Sequence, residues 1–181
     1  MEKITIPFLK ISARLKKSNH VVDIMDTLAS AQSILVFMPD NLEDFGIARK
    51  HISKLMNDFS GAKFQLVMRQ SYRSLLNGEL DYGTIFVSDR DINVWGLPKK
   101  ELKQKILATK YDIVIDLNDA FYLPSTYLCL KCRASLKICF DHENREPFYN
   151  FYYRTQSNES LDKKYNKLIQ YLKSNVKAET V

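Results

Sequence analysis

The chain has 181 residues, of which 45% are hydrophobic and 27% are charged. This is the length of one ordinary domain and the composition of a globular protein, which excludes a fibrous repeat and a wholly disordered chain. The net charge of +6 favours an acidic partner, but basic residues spread along the chain do not distinguish a nucleic acid from an anionic membrane or an acidic protein.

Signals of export and of oxidative crosslinking are absent from the sequence. No apolar run approaches the roughly 20 residues that span a bilayer, and the N-terminus lacks the apolar segment and cleavage site of a secretory signal. Three cysteines, an odd number, fit reduced thiols better than a disulfide framework. We therefore expect a cytoplasmic protein without disulfides.

The first segment, residues 4–15, predicts a basic amphipathic helix. Its apolar side chains recur at spacings of four, three and four, with basic residues largely on the other side, and Pro7 suits the first turn. Ser18 and Asn19 interrupt the pattern before a second short helical stretch. The apolar stripe consists of Ile4, Phe8, Ile11 and Leu15.

The rest of the chain alternates apolar strands with helices. The run from Ser33 to Met38, closed by Pro39, is typical of a strand buried on both faces. Apolar positions then recur at helical spacing as far as Phe59, before a glycine at 61. Further strands are predicted at 63–68, 84–87, 111–117 and 135–140, further helices at 70–76, 99–109, 123–131 and 161–172, and an aromatic loop at 147–153.

This order of elements predicts an α/β fold. Strand, helix, strand order with short connections implies right-handed crossovers and a mainly parallel sheet. The predicted architecture is a single Rossmann-like domain at residues 33–181, preceded by an N-terminal helical extension at residues 1–32.

Three stretches of this alternation carry a resemblance to a known family. They are the strand and loop at 34–44, the segment 61–67 after a long helix, and residues 111–117 leading to 134–141. In the third stretch, a strand ending in Asp-Leu precedes a helix, a small-residue turn and a short strand ending in phenylalanine. From residue 33 to about 153 the chain resembles the N-terminal, acceptor-side domain of the bacterial family 9 glycosyltransferases, the heptosyltransferase-like group. The resemblance implies one half of a GT-B fold.

The resemblance also implies a candidate general base, Asp44, in the loop after the first strand. Glu43 stands where the family has glycine, and Cys139 replaces a second family glycine. Glycine lets backbone N–H groups approach a ligand, whereas glutamate adds a Cβ and a negative charge. The other interpretation of Asp44 is that it favours the N-terminus of the next helix through the helix dipole, as do Asp40 and Glu43.

Cofactor binding is not predicted. No G-x-G-x-x-G follows the first strand, and no P-loop occurs. Family members bind a nucleotide-sugar between two Rossmann-like domains, and nothing in these residues resembles the second. We therefore expect this chain alone not to bind nucleotide-sugars.

Four residues have the composition of a structural zinc site. Cys129, Cys132, Cys139 and His142 form C-x2-C-x6-C-x2-H. However, the first two fall on a predicted helix and the third inside a strand, whereas zinc ligand pairs usually lie on tight turns. Buried apolar thiols are the favoured interpretation.

Two segments are predicted to contact a partner. The stripe of the N-terminal helix has three open destinations: this domain, a partner protein, or an anionic membrane surface. The aromatic segment 147–153, with Arg145 and Arg154, could stack on a base or a sugar, form an interface, or pack in the core. The predicted contact residues are Phe8, Lys10, Ile11, Arg14, Leu15, Lys17, Tyr149, Tyr152 and Tyr153.

Two function hypotheses follow. The favoured one is a non-catalytic binding or assembly protein, an accessory subunit that docks on a larger complex, with contact to the inner face of the membrane as an open option. The alternative is a glycosyltransferase component of cell-envelope sugar transfer, with a separate polypeptide that supplies the donor domain. Nucleic-acid binding ranks last because no reader motif is present.

Overall fold

A computed structural model describes residues 2–15, 22–76, 83–156 and 158–176. Six strands form one sheet, in which every neighbouring pair is parallel. The strands are β1 (Ser33–Phe37), β2 (Lys63–Arg69), β3 (Ile85–Val87), β4 (Ile113–Asp116), β5 (Leu136–Phe140) and β6 (Phe151–Tyr153). Their spatial order is β3-β2-β1-β4-β5-β6, so the predicted α/β, Rossmann-like fold is confirmed.

Helices cover both faces of this sheet. None of those in the described part of the chain is both long and apolar enough to cross a bilayer. The helices are α1 (Glu2–Leu15), α2 (Ile24–Ala29), α3 (Leu42–Asp58), α4 (Lys100–Leu107), α5 (Leu123–Lys131) and α6 (Leu161–Val176), with short 3-10 helices at Gln70–Leu76 and Asp89–Asp91.

The prediction of a loop for residues 147–153 is wrong in one part. Phe151–Tyr153 form β6, which pairs in parallel with β5, Ile138 opposite Phe151. A strand of three residues at the sheet edge, half-buried along its length, is too short to show an alternating pattern. Only the pairing with β5 identifies it.

Two hydrophobic cores lie on opposite faces of the sheet, because side chains of a strand alternate. Ile34 and Val36 of β1 join the core beneath α2, α3 and α6, whereas Leu35 and Phe37 join the core beneath α4 and α5. The central strand β1 is therefore apolar on both faces from Ile34 to Phe37. This explains why its sequence reads as a continuous run.

The N-terminal segment contacts both cores. α1 packs on α5 through Ala13, which is buried, and Leu9. α2 packs on α6 and places Leu28 in the other core with no exposed surface. In contrast, Phe8 and Ile11 on α1 are exposed. Of the predicted stripe, the side chains of Ile4 and Leu15 lie outside the described residues.

Candidate functional site at the carboxyl edge of the sheet

The topology identifies one edge of the sheet as the candidate site. The strand order reverses direction between β1 and β4, and ligands of open α/β sheets bind outside the carboxyl ends of the strands at such a point. The crevice there lies between the loop after β1, residues 38–41, and the loop after β4, residues 117–122. Any chemistry typical of this fold would take place in that crevice.

One hydrogen bond crosses this crevice, and two further contacts hold the loop after β1. The backbone N–H of Asp40 donates to Oδ1 of Asn118 at 2.9 Å. The Tyr72 hydroxyl donates to the carbonyl oxygen of Asp40 at 2.5 Å, and Nε of Arg69 lies 3.4 Å from the Asp40 carboxylate. The loop after β1 is thus tied to the loop after β4 and to β2.

A buried carboxylate organises the loop after β4. Asp116 has no exposed surface and accepts hydrogen bonds from two groups of Asn118, the backbone N–H at 3.0 Å and the side-chain amide at 2.7 Å. It also accepts from the hydroxyls of Ser125, at 2.7 Å, and Tyr149, at 2.5 Å. Four donors satisfy the hydrogen-bonding capacity of this buried carboxyl group.

Arg145 is the second fully buried charged residue. Its guanidinium donates to three backbone carbonyl oxygens, those of Phe140 at 3.2 Å, Asn118 at 2.5 Å and Ala120 at 2.6 Å. Burial lowers the pKa of Arg145, but the charge of Asp116 and the neighbouring Tyr149 raise it, and the net direction is upward. A charged arginine therefore ties the end of β5 to the loop after β4.

Asp44, the candidate base, lies in the first turn of α3 at the same edge. The helix is capped by Asn41, whose side chain accepts from the N–H groups of Glu43 at 2.8 Å and Asp44 at 3.3 Å. Partial burial, Asp119 and Glu43 raise the pKa of Asp44, while Lys164 lowers it. A helix dipole alone would lower that pKa. Asp44 is thus a carboxyl group with a pKa above its ordinary value.

The raised pKa of Asp44 predicts the sign of its effect on stability. The folded chain binds a proton here more tightly than the unfolded chain, so stability falls as pH rises from the ordinary pKa of 3.8 through the raised value. Asp44→Asn should therefore gain stability relative to the parent over that window, by less than about 1 kcal/mol because solvent screens the site. Urea unfolding of both proteins from acidic to neutral pH measures this, with Glu101→Gln, at an exposed carboxylate in the first turn of α4, as control. A loss of stability at neutral pH would instead support the dipole interpretation.

A small cavity lies beside the crevice, on the side of α4 and α5. Its volume is about 30 Å³, which is enough for one water molecule and too small for a sugar. Apolar side chains such as Phe37 and Val67 line most of it, and Asp40, Arg69 and Tyr122 provide the polar part. Burial and the nearby Asp40 carboxylate raise the pKa of Tyr122, which keeps its hydroxyl neutral.

The loop after β1 and the first turn of α3 are acidic. Asp40, Glu43 and Asp44 lie within residues 38–44, and this stretch contains no basic residue. Negative charge at this position opposes the approach of a phosphate group.

The four predicted zinc ligands do not form a metal site. All three cysteines are free and buried, and burial raises the pKa of Cys132 and Cys139 to about 12 and that of Cys129 well above its ordinary value. The His142 ring lies 6.3 Å from the ring of Phe121. Within residues 2–15, 22–76, 83–156 and 158–176, no group of three or more possible ligands could hold a metal ion. Buried apolar thiols, the favoured interpretation, match this arrangement.

We expect these thiols to be nearly inert in the folded protein. The thiolate is the reactive form, and burial both suppresses it and blocks access. Labelling with a chromogenic disulfide at mildly alkaline pH should be more than about 100-fold slower in the native protein than in denaturant. One thiol that reacts at the denatured rate would contradict the burial.

The predicted contact residues separate into buried and exposed groups. Tyr149 is buried, with its hydroxyl on Asp116, so its side chain is not on the surface where a contact residue is expected; Arg145 is likewise buried. Tyr152 is half-buried and donates to the carbonyl oxygen of Tyr149 at 2.7 Å, and half-buried Tyr153 packs against aromatic rings of β5 and α6.

On α1, Phe8, Ile11 and Arg14 are exposed, whereas Lys10 donates to the side chain of Asn144 at 3.2 Å. The side chain of Leu15 and all of Lys17 lie outside the described residues.

Asp116 and Asn118 of this edge were not singled out from the sequence, and Arg145 was considered only together with the aromatic segment 147–153. Asp116 belongs to the Asp-Leu strand end that carries the family resemblance, and this signal could have identified it. A buried arginine has no comparable signal, because arginine is mostly exposed in proteins.

Comparisons with known proteins agree with the fold. A family model described as "Family of unknown function (DUF6913)" matches residues 8–174. A search of curated proteins found no match. Among solved structures, E. coli heptosyltransferase WaaC with ADP is 19% identical, with a TM-score of 0.60, over 77% of this chain and 46% of that one. The same enzyme with ADP-2-deoxy-2-fluoro heptose is 16% identical, with a TM-score of 0.60, over 83% and 51%.

A family 9 glycosyltransferase from Veillonella parvula is 19% identical, with a TM-score of 0.61, over 78% of this chain and 41% of that one. The chain thus spans about half the length of the structures it matches. The predicted resemblance to this family is confirmed at the level of the fold, a Rossmann-like half of a GT-B glycosyltransferase.

Proposed function

Because the chain belongs to the DUF6913 family, whose function is unknown, we propose a role from its own geometry: a non-catalytic binding or assembly protein built on a glycosyltransferase-like domain. The observation that most supports this role is the hydrogen bond from Asp40 to Asn118 across the crevice. A nucleotide-binding Rossmann domain presents free N–H groups at this point to the ligand phosphates. Here one of those groups is already bonded within the protein.

Charge and volume support the same role. The diphosphate of a nucleotide-sugar would approach the carboxylates of Asp40, Glu43 and Asp44, and a basic group would have to compensate for them. Arg69 is paired with Asp40 and Asp89, and Lys164, which acts on Asp44, is paired with Asp119. The adjoining cavity of about 30 Å³ cannot admit a hexose ring.

Titration calorimetry tests the non-catalytic part of the proposal. We expect no binding of UDP-, GDP- or ADP-sugars to the chain, because the crevice is closed and acidic. A transferase of known affinity serves as the positive control. Micromolar binding of any of these ligands would overturn the proposal.

The alternative is a glycosyltransferase component, and Asp44 is the observation that favours it. A carboxyl group with a raised pKa at the carboxyl edge is a suitable proton acceptor. Purification of the native complex from its source cells distinguishes the two roles. A stoichiometric partner with a donor-type domain, together with loss of cellular function in Asp44→Asn at normal abundance, would support the enzyme. Normal function of that variant would support the binding role.

A further inference from the structure

Helix α1 has two apolar faces that point in opposite directions. Successive residues are rotated by about 100°, which places Leu9 and Ala13 on one side and Phe8 and Ile11 on the opposite side. The first pair packs on α5. In the second pair, 72% of Phe8 and 57% of Ile11 are exposed. The outward face thus has no partner among the described residues.

The charge around this face is positive. Arg14, one turn beyond Ile11, is exposed. The sequence adds Lys3 before the face and a pair of lysines at 16 and 17 after it, and Glu2 is the only acidic residue among the first 22. A narrow apolar strip with basic residues around it is the pattern of helices that lie in the interface of an anionic membrane.

We propose that α1 docks the protein on an anionic membrane surface, with Phe8 and Ile11 inserted between lipid headgroups and Arg14 at the phosphates. The inference rests on the proposed binding role and names the surface that is bound. Since α1 packs on α5 through its other side and Phe8 and Ile11 are exposed, the outward face is accessible from solvent.

The size of the face favours lipid over protein. A stable protein interface buries about 800 Å² on each partner and needs a matching shape. Two large apolar side chains on a convex helix provide much less. A lipid surface accepts such a helix without a complementary shape, and its negative potential complements the basic residues.

Vesicle flotation of the full chain tests this inference. We expect binding to vesicles of phosphatidylcholine and phosphatidylserine in equal parts, little binding to phosphatidylcholine alone, and weaker binding at high salt.

The double variant Phe8→Ser, Ile11→Ser should bind at least about ten-fold more weakly. Arg14→Gln should reduce binding about five-fold. Val94→Ser, which changes an exposed apolar residue in the loop before α4, should bind as the parent does.

Phe8 and Ile11 are both exposed, so the melting temperature of the double variant should be close to that of Val94→Ser. A thermal melt of the double variant checks that it is folded. Absence of binding to anionic vesicles, equal binding to both vesicle types, or unchanged affinity of the double variant would each overturn the inference. Loss of a stoichiometric protein partner in the double variant, with vesicle binding unchanged, would assign the face to a protein. The nucleotide-sugar titration is independent of all these results, so failure of the proposed function is recognised separately.

Discussion

Arg145→Met should lower the free energy of unfolding by about 3–5 kcal/mol, the usual effect of removing one member of a buried charged group. The substitution keeps most of the side-chain volume. However, it removes the donors to the carbonyl oxygens of Phe140, Asn118 and Ala120, and it removes the positive charge that interacts with Asp116. Urea unfolding at neutral pH measures the change. For a domain of ordinary stability this is a large part of the total.

The matched control is Arg154→Met, the same substitution at an exposed arginine that pairs with Asp141. An exposed pair contributes at most about 1 kcal/mol, so this variant should remain close to the parent. If the two variants lose similar stability, the buried network does not support the carboxyl edge in the way its hydrogen bonds indicate.

Leu28→Ala should lower the free energy of unfolding by about 2–5 kcal/mol, through lost burial and the cavity that remains. Leu28 has no exposed surface and belongs to the core beneath α2, α3 and α6. The prediction also concerns domain organisation, because residue 28 lies in the segment predicted as an extension at residues 1–32. A large effect would make α2 part of the domain that begins with β1.

Met25→Ala provides the control on the same helix, since 44% of Met25 is exposed. It should change stability by less than about 1 kcal/mol. Equal and small effects of both substitutions would show that α2 is a detachable extension whose packing on α6 adds little. Thermal and urea unfolding, followed by circular dichroism, separate the two outcomes.

The residues that stabilise this protein occupy the place where related folds bind ligands. Asp116 and Arg145 are engaged with the strands and loops around them, and Asn118 connects Asp116 to the loop after β1. A change that weakens this network would therefore alter the shape of the carboxyl edge as well as the stability. Any nucleotide binding by Asn118→Ala would be visible in the same calorimetric titration.

The sequence by itself determined the order of the main helices and of strands β1 to β5, but not the edge strand β6. The predicted strand boundaries of β1 to β5 differ from the observed ones by at most two residues. Strands such as β1 and β4 read as continuous apolar runs because helices cover both faces of a parallel sheet. Helices such as α3 and α6 read as apolar positions at a period of 3.6 because one side of each is buried. Both patterns can be recognised within a short stretch of sequence, because the periods of strands and helices come from backbone geometry. The order of the elements then restricts the possible topologies.

The tertiary structure decided which polar groups meet and which faces stay open. The bond between Asp40 and Asn118 joins residues 78 positions apart, and no local pattern indicates it. Arg145 is charged, yet it is fully buried. In the folded chain three carbonyl oxygens accept its hydrogen bonds, and the carboxylate of Asp116 interacts with its charge. Likewise, the spacing of α1 revealed an apolar stripe, but only its packing on α5 showed that Phe8 and Ile11 face away. Such facts depend on the relative positions of distant segments, which periodicity does not encode.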